Sequence, residues 1–513
     1  MTLSTNFFRK ILNSVSPHAS VTRRLLLRRP VPRRSLHARV GPIAAIAGGA
    51  AGVTGLAAYL SKTPSSAASG NDDASILVPQ IRPLKKDDET GKARVDSPVK
   101  VLDVAAATEL LRQGQKSKLF ELGNGQRGRC DVVRFASNHP VEDEYSIGTG
   151  AGTGGSPWTF WGVYDGHAPK TNANLPSGWA TSSVLRDTLI PFVSDALSQL
   201  PASASSSQIS QTITRAFLDL DDRINDIALS TMNDPSASPG SATVLSAIAP
   251  ALSGSCALLA AYDTSQSTLR VACVGDSRAV LGRRDGSSAY ATVPLSADQT
   301  GKNPAEHARL TALHPDEPKM LNRDSGRLLG LAVTRAFGDH RWKWAHDAIA
   351  EAQQKHWGTA PRPESRTPPY LTAAPAIEET RVGPGDFLIM ASDGFWDHVG
   401  SEDAVACVAR WVQARRAGVI TGVPRDALRY RPREGGVKQS GEGWWLEEDK
   451  YATWRATPEF FVAEDENAAT HLVKNAFGGS RRGLFCGVMS TYPPMSRNVR
   501  DDITVQVIFF GDV

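Results

Sequence analysis

The chain has 513 residues, of which 41% are hydrophobic and 21% are charged. This composition excludes a wholly disordered chain and a protein with many membrane spans, and the length suits one large domain with extensions or two to three ordinary domains. The charge is unevenly distributed, because residues 1–71 contain ten basic residues and no acidic one, which leaves 47 basic against 53 acidic residues in the rest.

Residues 1–40 are rich in Arg, contain Ser and Thr, and have apolar residues at helical spacing between Phe7 and Val15. A basic amphipathic segment of this kind is typical of a mitochondrial presequence. The alternative is a disordered basic tail that binds nucleic acid, but aromatic residues are scarce among its charges. We therefore predict a mitochondrial protein that does not bind nucleic acid.

Residues 41–60 carry no charge and are long enough to cross a bilayer once. They are mostly Ala and Gly, with only five Ile, Leu or Val residues, so insertion into a membrane would be only marginally favourable. A single inner-membrane anchor and a flexible spacer both remain open. Residues 61–98 are rich in Ser, Pro, Asp and Lys, which predicts a solvated linker.

In the remaining chain, acidic residues recur at the ends of predicted buried strands. The segments are 137–148 with Glu142 and Asp143, 158–169 with Asp165, 269–284 with Asp276, 385–399 with Asp393 and Asp397, and 499–510 with Asp501 and Asp502. A single Asp-Gly pair is usually a plain turn. Several strand ends can instead converge at one rim of a sheet, where ionised acids repel one another unless a divalent cation neutralises them. The pattern predicts a metal site.

These segments resemble the motifs of the metal-dependent protein phosphatases of type 2C, over residues 116–513. The motifs appear in the order VYDGH, GSCALLAAYD, VGDSRAV, RLLGLAVTRAFGD, ASDGFWD and RDDITV. The stretches SNHPVED, RLLGLAVTRAFGDHRWKW and RDDITVQVIFF look most like the mitochondrial branch, the pyruvate dehydrogenase phosphatases and their fungal relatives.

The resemblance implies two bound ions, Mg²⁺ or Mn²⁺, with a third ion held more weakly. It makes Asp165 the carboxylate that bridges the first two ions. The other implied contacts are the Gly166 carbonyl on one ion, Asp393 and Asp501 on the second ion, Glu142 there through water, and Asp276 and Asp397 at the third ion.

The resemblance also implies that Asp143 orients a metal-bound water and that His167 is the general acid that protonates the leaving alkoxide. Water then attacks the phosphoryl group directly, without a phosphoenzyme. Many family members bind phosphate with an Arg four residues before the equivalent of Glu142, where this chain has Asn138. The pyruvate dehydrogenase phosphatase branch has Asn there too. Whether Arg134 or Arg129 reaches the phosphate instead stays open.

Short apolar strands alternate with helical stretches at 182–200 and 209–229, which predicts an α+β fold with mainly antiparallel strands. The resemblance adds a two-sheet β-sandwich flanked by helices on both faces, with the metals at one end. We expect the catalytic domain to span 99–513, with surface insertions or plain loops near 345–372 and 415–458. The Gly-rich residues 148–155 are expected to form a flexible loop beside the active site.

The expected protein is a metal-dependent phosphatase for phosphoserine and phosphothreonine in mitochondria. The expected substrate is pyruvate dehydrogenase E1α or another mitochondrial phosphoprotein. The alternative is a catalytically silent phosphatase-like binding module. The protein would lie in the matrix or at the inner membrane, and an anchored form facing the intermembrane space is also open.

Overall fold

The computed structural model describes residues 75–81, 94–122, 125, 127–168, 178–286, 289–322, 324–420, 444–445 and 453–513. The predicted presequence and membrane segment lie outside these residues, as does most of the predicted linker. Among the helices of the described ranges, we find none with the length and apolar character needed to cross a bilayer.

The described part of the chain contains ten α-helices. They are α1 Val104–Arg112, α2 Trp179–Ser198, α3 Ser206–Met232, α4 Ala242–Leu252, α5 Pro304–Leu313, α6 His346–Lys355, α7 Asp393–Trp396, α8 Ser401–Arg416, α9 Ala468–Ala476 and α10 Arg482–Ser490. The two predicted helical stretches are confirmed as α2 and α3.

The strands follow in chain order. They are β1 Ser75–Ile81, β2 Arg94–Lys100, β3 Gln115–Glu121, β4 Arg127–Phe135, β5 Glu144–Ala151, β6 Pro157–Tyr164, β7 Gly166–His167, β8 Gly254–Ser255, β9 Ala257–Asp263, β10 Thr268–Val274, β11 Arg278–Arg284, β12 Tyr290–Pro294, β13 Leu321–Asn322, β14 Arg327–Leu328, β15 Phe337–Gly338, β16 Ala376–Arg381, β17 Phe387–Ala391, β18 Trp444–Trp445, β19 Thr453–Trp454 and β20 Ile503–Phe509.

Two antiparallel sheets form the centre of the fold. The five-stranded sheet has the order β16-β10-β9-β6-β5, and the six-stranded sheet has the order β12-β11-β17-β20-β4-β3. Along β6, Trp161 and Val163 pack between the two sheets, whereas Trp158 and Phe160 pack against helices. This alternation follows from the two-residue period of a strand, and it makes β6 buried on both faces.

Helices cover both outer faces of the sandwich. Side chains of α2, α3 and α4 pack on the five-stranded sheet, and those of α1, α8, α9 and α10 pack on the six-stranded sheet. The predicted fold class, an α+β β-sandwich flanked by helices, is therefore confirmed.

The expectation for the Gly-rich residues 148–155 was wrong. Residues as far as Ala151 belong to β5, which pairs with β6, and a 3-10 turn follows at Thr153–Gly155. Gly150 lies so close to α2 that a Cβ atom there would be 2.8 Å from Cβ of Ser194. The small residues thus allow close packing of a strand and a helix, and they lie at the end of β5 away from Asp143.

Two other segments, the predicted linker at 61–98 and the predicted insertion or loop at 345–372, contain regular secondary structure. The structure describes paired strands, β1 and β2, within and just beyond the segment predicted to be a linker. The 345–372 segment contains α6. Its Ile349 and Ala352 are buried in the apolar cluster between the five-stranded sheet and the helices that cover it. Most of 415–458 lies outside the described residues.

Candidate metal centre

Three of the predicted acids meet at one end of the sandwich. Asp165 follows β6, Asp276 lies in the turn between β10 and β11, and Asp393 begins α7 after β17. Each of them offers a carboxylate oxygen, and these oxygens lie within 4.8 Å of one another. Since β10 and β11 belong to different sheets, the turn that holds Asp276 closes this end of the sandwich. The predicted convergence of strand ends is present for these three acids.

The proximity of these carboxylates makes their ionisation costly. Burial and the charges of Asp393 and Asp143 hold the pKa of Asp165 well above its usual range. Burial and the Asp393 charge likewise raise the pKa of Asp276 to about 7. Oxygen donors that repel one another in this way suit a hard divalent cation, which removes the repulsion by coordination.

Gly166 allows the chain to turn tightly after Asp165. A Cβ atom at this position would lie 2.4 Å from the carbonyl oxygen of Gly178 and 2.6 Å from that of Glu142. Any side chain would therefore push the Asp165 turn away from the start of α2 and from the loop before β5. Glycine is required here by the close approach of three chain segments.

Asp143 is buried close to the three-acid group. Its Oδ2 accepts a hydrogen bond of 2.6 Å from Ser392 Oγ, in the residue before Asp393. Burial, with the charge of Asp502 next in size, raises the pKa of Asp143 to about 8. Asp143 thus belongs to the same acidic cluster, at a position from which it can orient a group bound there.

Asp501 and Asp397 lie at the edge of this cluster. A Cβ atom on Gly394 would be 3.0 Å from Cβ of Asp501, so Asp501 lies beside the start of α7. Its carboxylate forms an ion pair with Arg497. The Asp397 amide donates to the Asp393 carbonyl at 2.8 Å, and loss of hydration together with the Asp393 charge raises the pKa of Asp397 to about 6.

Asp502 holds the loop that carries Glu142, a role that sequence reasoning missed. The buried Asp502 carboxylate accepts four hydrogen bonds, from the backbone amides of Ser137, Asn138 and Glu142 and from Asn138 Nδ2. Its position directly after Asp501 was the only signal in the sequence. Glu142 also accepts from the Gly178 amide at 2.8 Å, and burial raises its pKa.

Asn138, the predicted phosphate-binding residue, is engaged within the protein. Its Nδ2 donates to Asp502 at 2.9 Å and to Glu142 Oε2 at 3.2 Å, which uses both amide hydrogens. A contact with phosphate would have to replace one of these bonds. The two arginines left open as alternatives also have acidic partners: Arg129 pairs with Asp131 at 2.7 Å and Arg134 with Glu144 at 3.0 Å.

His167 lies beside the three-acid group and has a partner that sequence reasoning also missed. Its Nε2 is 2.6 Å from Oδ2 of Asp339, while its side chain stays 25% exposed. Burial opposes the charged imidazole, but the Asp339 charge and hydrogen bond outweigh it and raise the pKa of His167. Asp339 stands within the RAFGDH stretch, so the motif contained it without indicating its partner. The pair can hold a proton near the acidic cluster.

The chain is similar to known protein phosphatases. The family model described as Protein phosphatase 2C matches residues 137–432. A protein phosphatase 2C homologue of Schizosaccharomyces pombe is 38% identical over 395 residues, which cover 75% of this chain and 80% of the relative. The mitochondrial pyruvate dehydrogenase phosphatase 1 of Saccharomyces cerevisiae is 31% identical, with 86% of this chain and 79% of the relative covered. The human mitochondrial pyruvate dehydrogenase phosphatase 2 is 33% identical over 51% of this chain and 48% of its own length.

Proposed function

This chain belongs to the protein phosphatase 2C family of metal-dependent protein serine/threonine phosphatases, and we propose that it dephosphorylates a mitochondrial phosphoprotein with the side chains gathered around Asp165. The observation that carries the proposal is the meeting of the Asp165, Asp276 and Asp393 carboxylates within 4.8 Å, beside the His167–Asp339 pair. The three carboxylates can hold cations, and the His167–Asp339 pair can supply a proton.

The acids provide the ligands. Asp165, the Gly166 carbonyl, Asp393 and Asp501 would hold two ions, with Glu142 acting through water. Asp276 and Asp397 would hold a third, weaker ion. Mg²⁺ or Mn²⁺ suits these oxygen donors. When bound, the two ions supply an activated water and neutralise charge on the phosphoryl oxygens.

The remaining steps belong to the protein's own side chains. Asp143, held by Ser392, orients the attacking water. His167 donates a proton to the departing serine or threonine oxygen, and Asp339 keeps that proton on the imidazole. Asn138 holds Glu142 in place, and it contacts phosphate only if it gives up one of its two hydrogen bonds.

The candidate substrate is phosphorylated pyruvate dehydrogenase E1α or another mitochondrial phosphoprotein. Two observations support this choice: the basic segment at 1–40, and the similarity to proteins that are named mitochondrial pyruvate dehydrogenase phosphatases. The enzyme acts in the matrix or at the inner membrane, with residues 41–60 as the candidate anchor.

The alternative is a silent binding module with the same fold. It is disfavoured because Asp165, Asp393, Asp501 and His167 are all present. A module without turnover has no need for a proton donor beside the acidic cluster.

The test uses the purified full chain with Mn²⁺ or Mg²⁺, phosphoserine and phosphothreonine peptides, and phosphorylated pyruvate dehydrogenase E1α. We expect release of phosphate that stops on chelation and falls at least about a hundredfold in Asp165→Asn. Asp316→Asn, an exposed acid outside the cluster, is the matched control and keeps its activity. Turnover that survives Asp165→Asn contradicts the assigned centre, and peptide turnover without E1α turnover contradicts only the substrate.

A further inference from the structure

Two arginines next to the proposed active site form no ion pair with the acidic residues that the structure describes. Arg341 belongs to the 3-10 turn His340–Trp342 that follows Asp339, and Arg362 belongs to the 345–372 segment. Both guanidinium groups face the indole ring of Trp342, with Cζ at 5.7 Å from the ring centroid for Arg341 and 4.8 Å for Arg362. Two chain segments thus bring two positive charges to one aromatic side chain.

The two charges are not neutralised from within the described residues. None of the ion pairs found there, at 4.0 Å or less, involves either arginine. Arg341 Nε donates to the neutral carbonyl of Ala360 at 2.9 Å, and Arg362 Nε is buried without a hydrogen-bond partner among the described residues. Glu364 and Asp339 influence the pKa of Arg362 only through their charge. Cationic side chains seldom stay buried without a counter-ion.

Arg341 is buried beside the positive charge of Arg362. Arg341 is only 8% exposed, and its burial together with the neighbouring Arg362 charge lowers its pKa to about 10. Contact with the indole face offsets only part of such a cost, since a cation–π contact leaves the net charge unchanged. An anion bound between the two groups would remove the remainder, and guanidinium groups bind carboxylates and phosphates in bidentate geometry.

The position of the pair indicates which anion it meets. The charge of Asp339, which hydrogen-bonds to His167, acts on both arginines. Arg341 stands two residues after Asp339, the partner of His167, and Arg362 lies over the same indole ring as Arg341. This is the side of the centre on which the proposed proton donor lies, so an anionic group near the phosphorylated residue of a peptide is the anion that suits the pair.

We propose that Arg341 and Arg362 bind a second anionic group of the phosphoprotein substrate, either a carboxylate or a phosphate, close in sequence to the residue that is dephosphorylated. The site rests on the proposed phosphatase function and adds a preference to it. Part of the 345–372 segment then contributes to substrate recognition through Arg362.

The test compares kcat/KM of the full chain with Mn²⁺ on three phosphoserine peptides: a neutral one, one with Asp on both sides of the phosphoserine, and one with a second phosphoserine nearby. We expect the wild-type protein to prefer an anionic peptide to the neutral one by about tenfold, the effect of one charge-assisted hydrogen-bonded contact. The ratio of kcat/KM for the anionic peptide to kcat/KM for the neutral peptide should fall to about one in Arg362→Ala, which lacks the positive charge. In Arg362→Glu the neutral peptide should be preferred, because the new carboxylate repels the anionic group.

Arg366→Ala is the matched control, because it removes an exposed positive charge from the same segment and should keep the preference. The ratio between peptides would not change if Arg362 only stabilised the fold. A wild-type protein without preference, or an Arg362→Ala variant that retains it, overturns the site while phosphatase activity stands. A wild-type protein that hydrolyses neither the peptides nor p-nitrophenyl phosphate overturns the proposed function and this site together.

Discussion

At the scale of single residues, the acids of this rim divide into those that face one another and those that hold other groups. Asp165, Asp276 and Asp393 bring their carboxylate oxygens together. Asp502 instead accepts hydrogen bonds from the Glu142 loop, and Asp339 pairs with His167. The first three suit a cation, whereas the other two position Glu142 and His167, which are proposed to act on the metal and on the substrate.

The role of Asp339 can be measured through the leaving group. Asp339→Asn removes the charge that keeps a proton on His167, so protonation of a poor leaving group should suffer most. We expect the ratio of kcat for a phosphoserine peptide to kcat for p-nitrophenyl phosphate, whose leaving group needs no protonation, to fall at least about tenfold. Asp316→Asn is the control. An equal loss on both substrates would show that Asp339 only supports the fold.

The role of Asp502 is structural and can be measured by denaturation. In Asp502→Asn, the new amide faces hydrogen-bond donors at Asn138 and Glu142, so buried N–H groups lose their acceptor. We expect the free energy of unfolding in urea to fall by about 2 kcal/mol or more, within the range for unsatisfied buried polar groups. The exposed Asp512→Asn should change it by less than about 0.5 kcal/mol. Equal stabilities would contradict the assigned role.

At the scale of elements, the site is built where strands of the two sheets end. β6 is buried on both faces and delivers Asp165, while the turn from β10 to β11 crosses between sheets and delivers Asp276. Outside the acidic cluster, hydrogen bonds connect α5 to the segment that leads to Asp339. Its Glu306, 3% exposed, accepts hydrogen bonds from Arg309 at 2.7 Å, from Thr334 at 2.7 Å and from Arg335 at 2.5 Å.

The hydrogen bonds of Glu306 should make a pH-dependent contribution to the free energy of unfolding. Burial alone would raise the pKa of Glu306, but the hydrogen bonds from Arg335, Arg309 and Thr334 lower it from 4.5 to about 2. A lowered folded-state pKa means that the contribution is complete above the unfolded-state pKa near 4.5 and is lost as the pH falls towards 2. We expect Glu306→Gln to reduce the free energy of unfolding by about 2 kcal/mol at pH 7.

The difference between wild type and Glu306→Gln should shrink as the pH falls below 4.5, because the Glu306 carboxyl of the unfolded wild-type chain then takes up a proton that the folded state does not bind until the pH nears 2. Urea denaturation at pH 7 and pH 4 measures it, with the exposed Glu109→Gln as control. A difference that stays constant between pH 7 and the lowest pH at which both proteins fold would show that charge at Glu306 is not its source.

At the scale of the whole molecule, the charge of the protein is unevenly distributed along the chain. Ten basic residues lie within 1–71, and the rest of the chain carries a net charge of −6. Part of that negative charge is concentrated at one end of the sandwich, where the pKa values of Asp165, Asp143 and Asp276 are all raised. The folded state therefore carries an internal repulsion that a bound cation would relieve.

Metal binding should accordingly stabilise the whole domain. A ligand at a hundred times its Kd adds about 2.7 kcal/mol to the free energy of unfolding, so we expect Mn²⁺ to raise Tm by several degrees and chelation to reverse the rise. In Asp165→Asn the rise should largely disappear, while the Tm of the metal-free variant should not fall below that of the wild type, because one repelling charge is gone.

Asp316→Asn is the control for this measurement and should keep the full Mn²⁺-induced rise. An equal rise in Asp165→Asn and in the wild-type protein would place the stabilising cation elsewhere. A metal-free Asp165→Asn variant with a much lower Tm would mean that hydrogen bonding of Asp165 outweighs the repulsion.

The family, the fold class and the acids at strand ends can be predicted from the amino-acid sequence, because each of these depends on short local patterns such as VYDGH, VGDSRAV and ASDGFWD. Which of these groups meet depends on the three-dimensional packing of the chain. Asp339 is 172 positions from His167, and Asp502 is 364 positions from Asn138, so no local pattern connects them. The same holds for Arg341 and Arg362, which share the Trp342 ring, and for residues 148–151, which became a strand because β6 and α2 provide their partners. Local chemistry specifies strands and ligand types, whereas contacts between distant segments depend on how the two sheets and their helices pack.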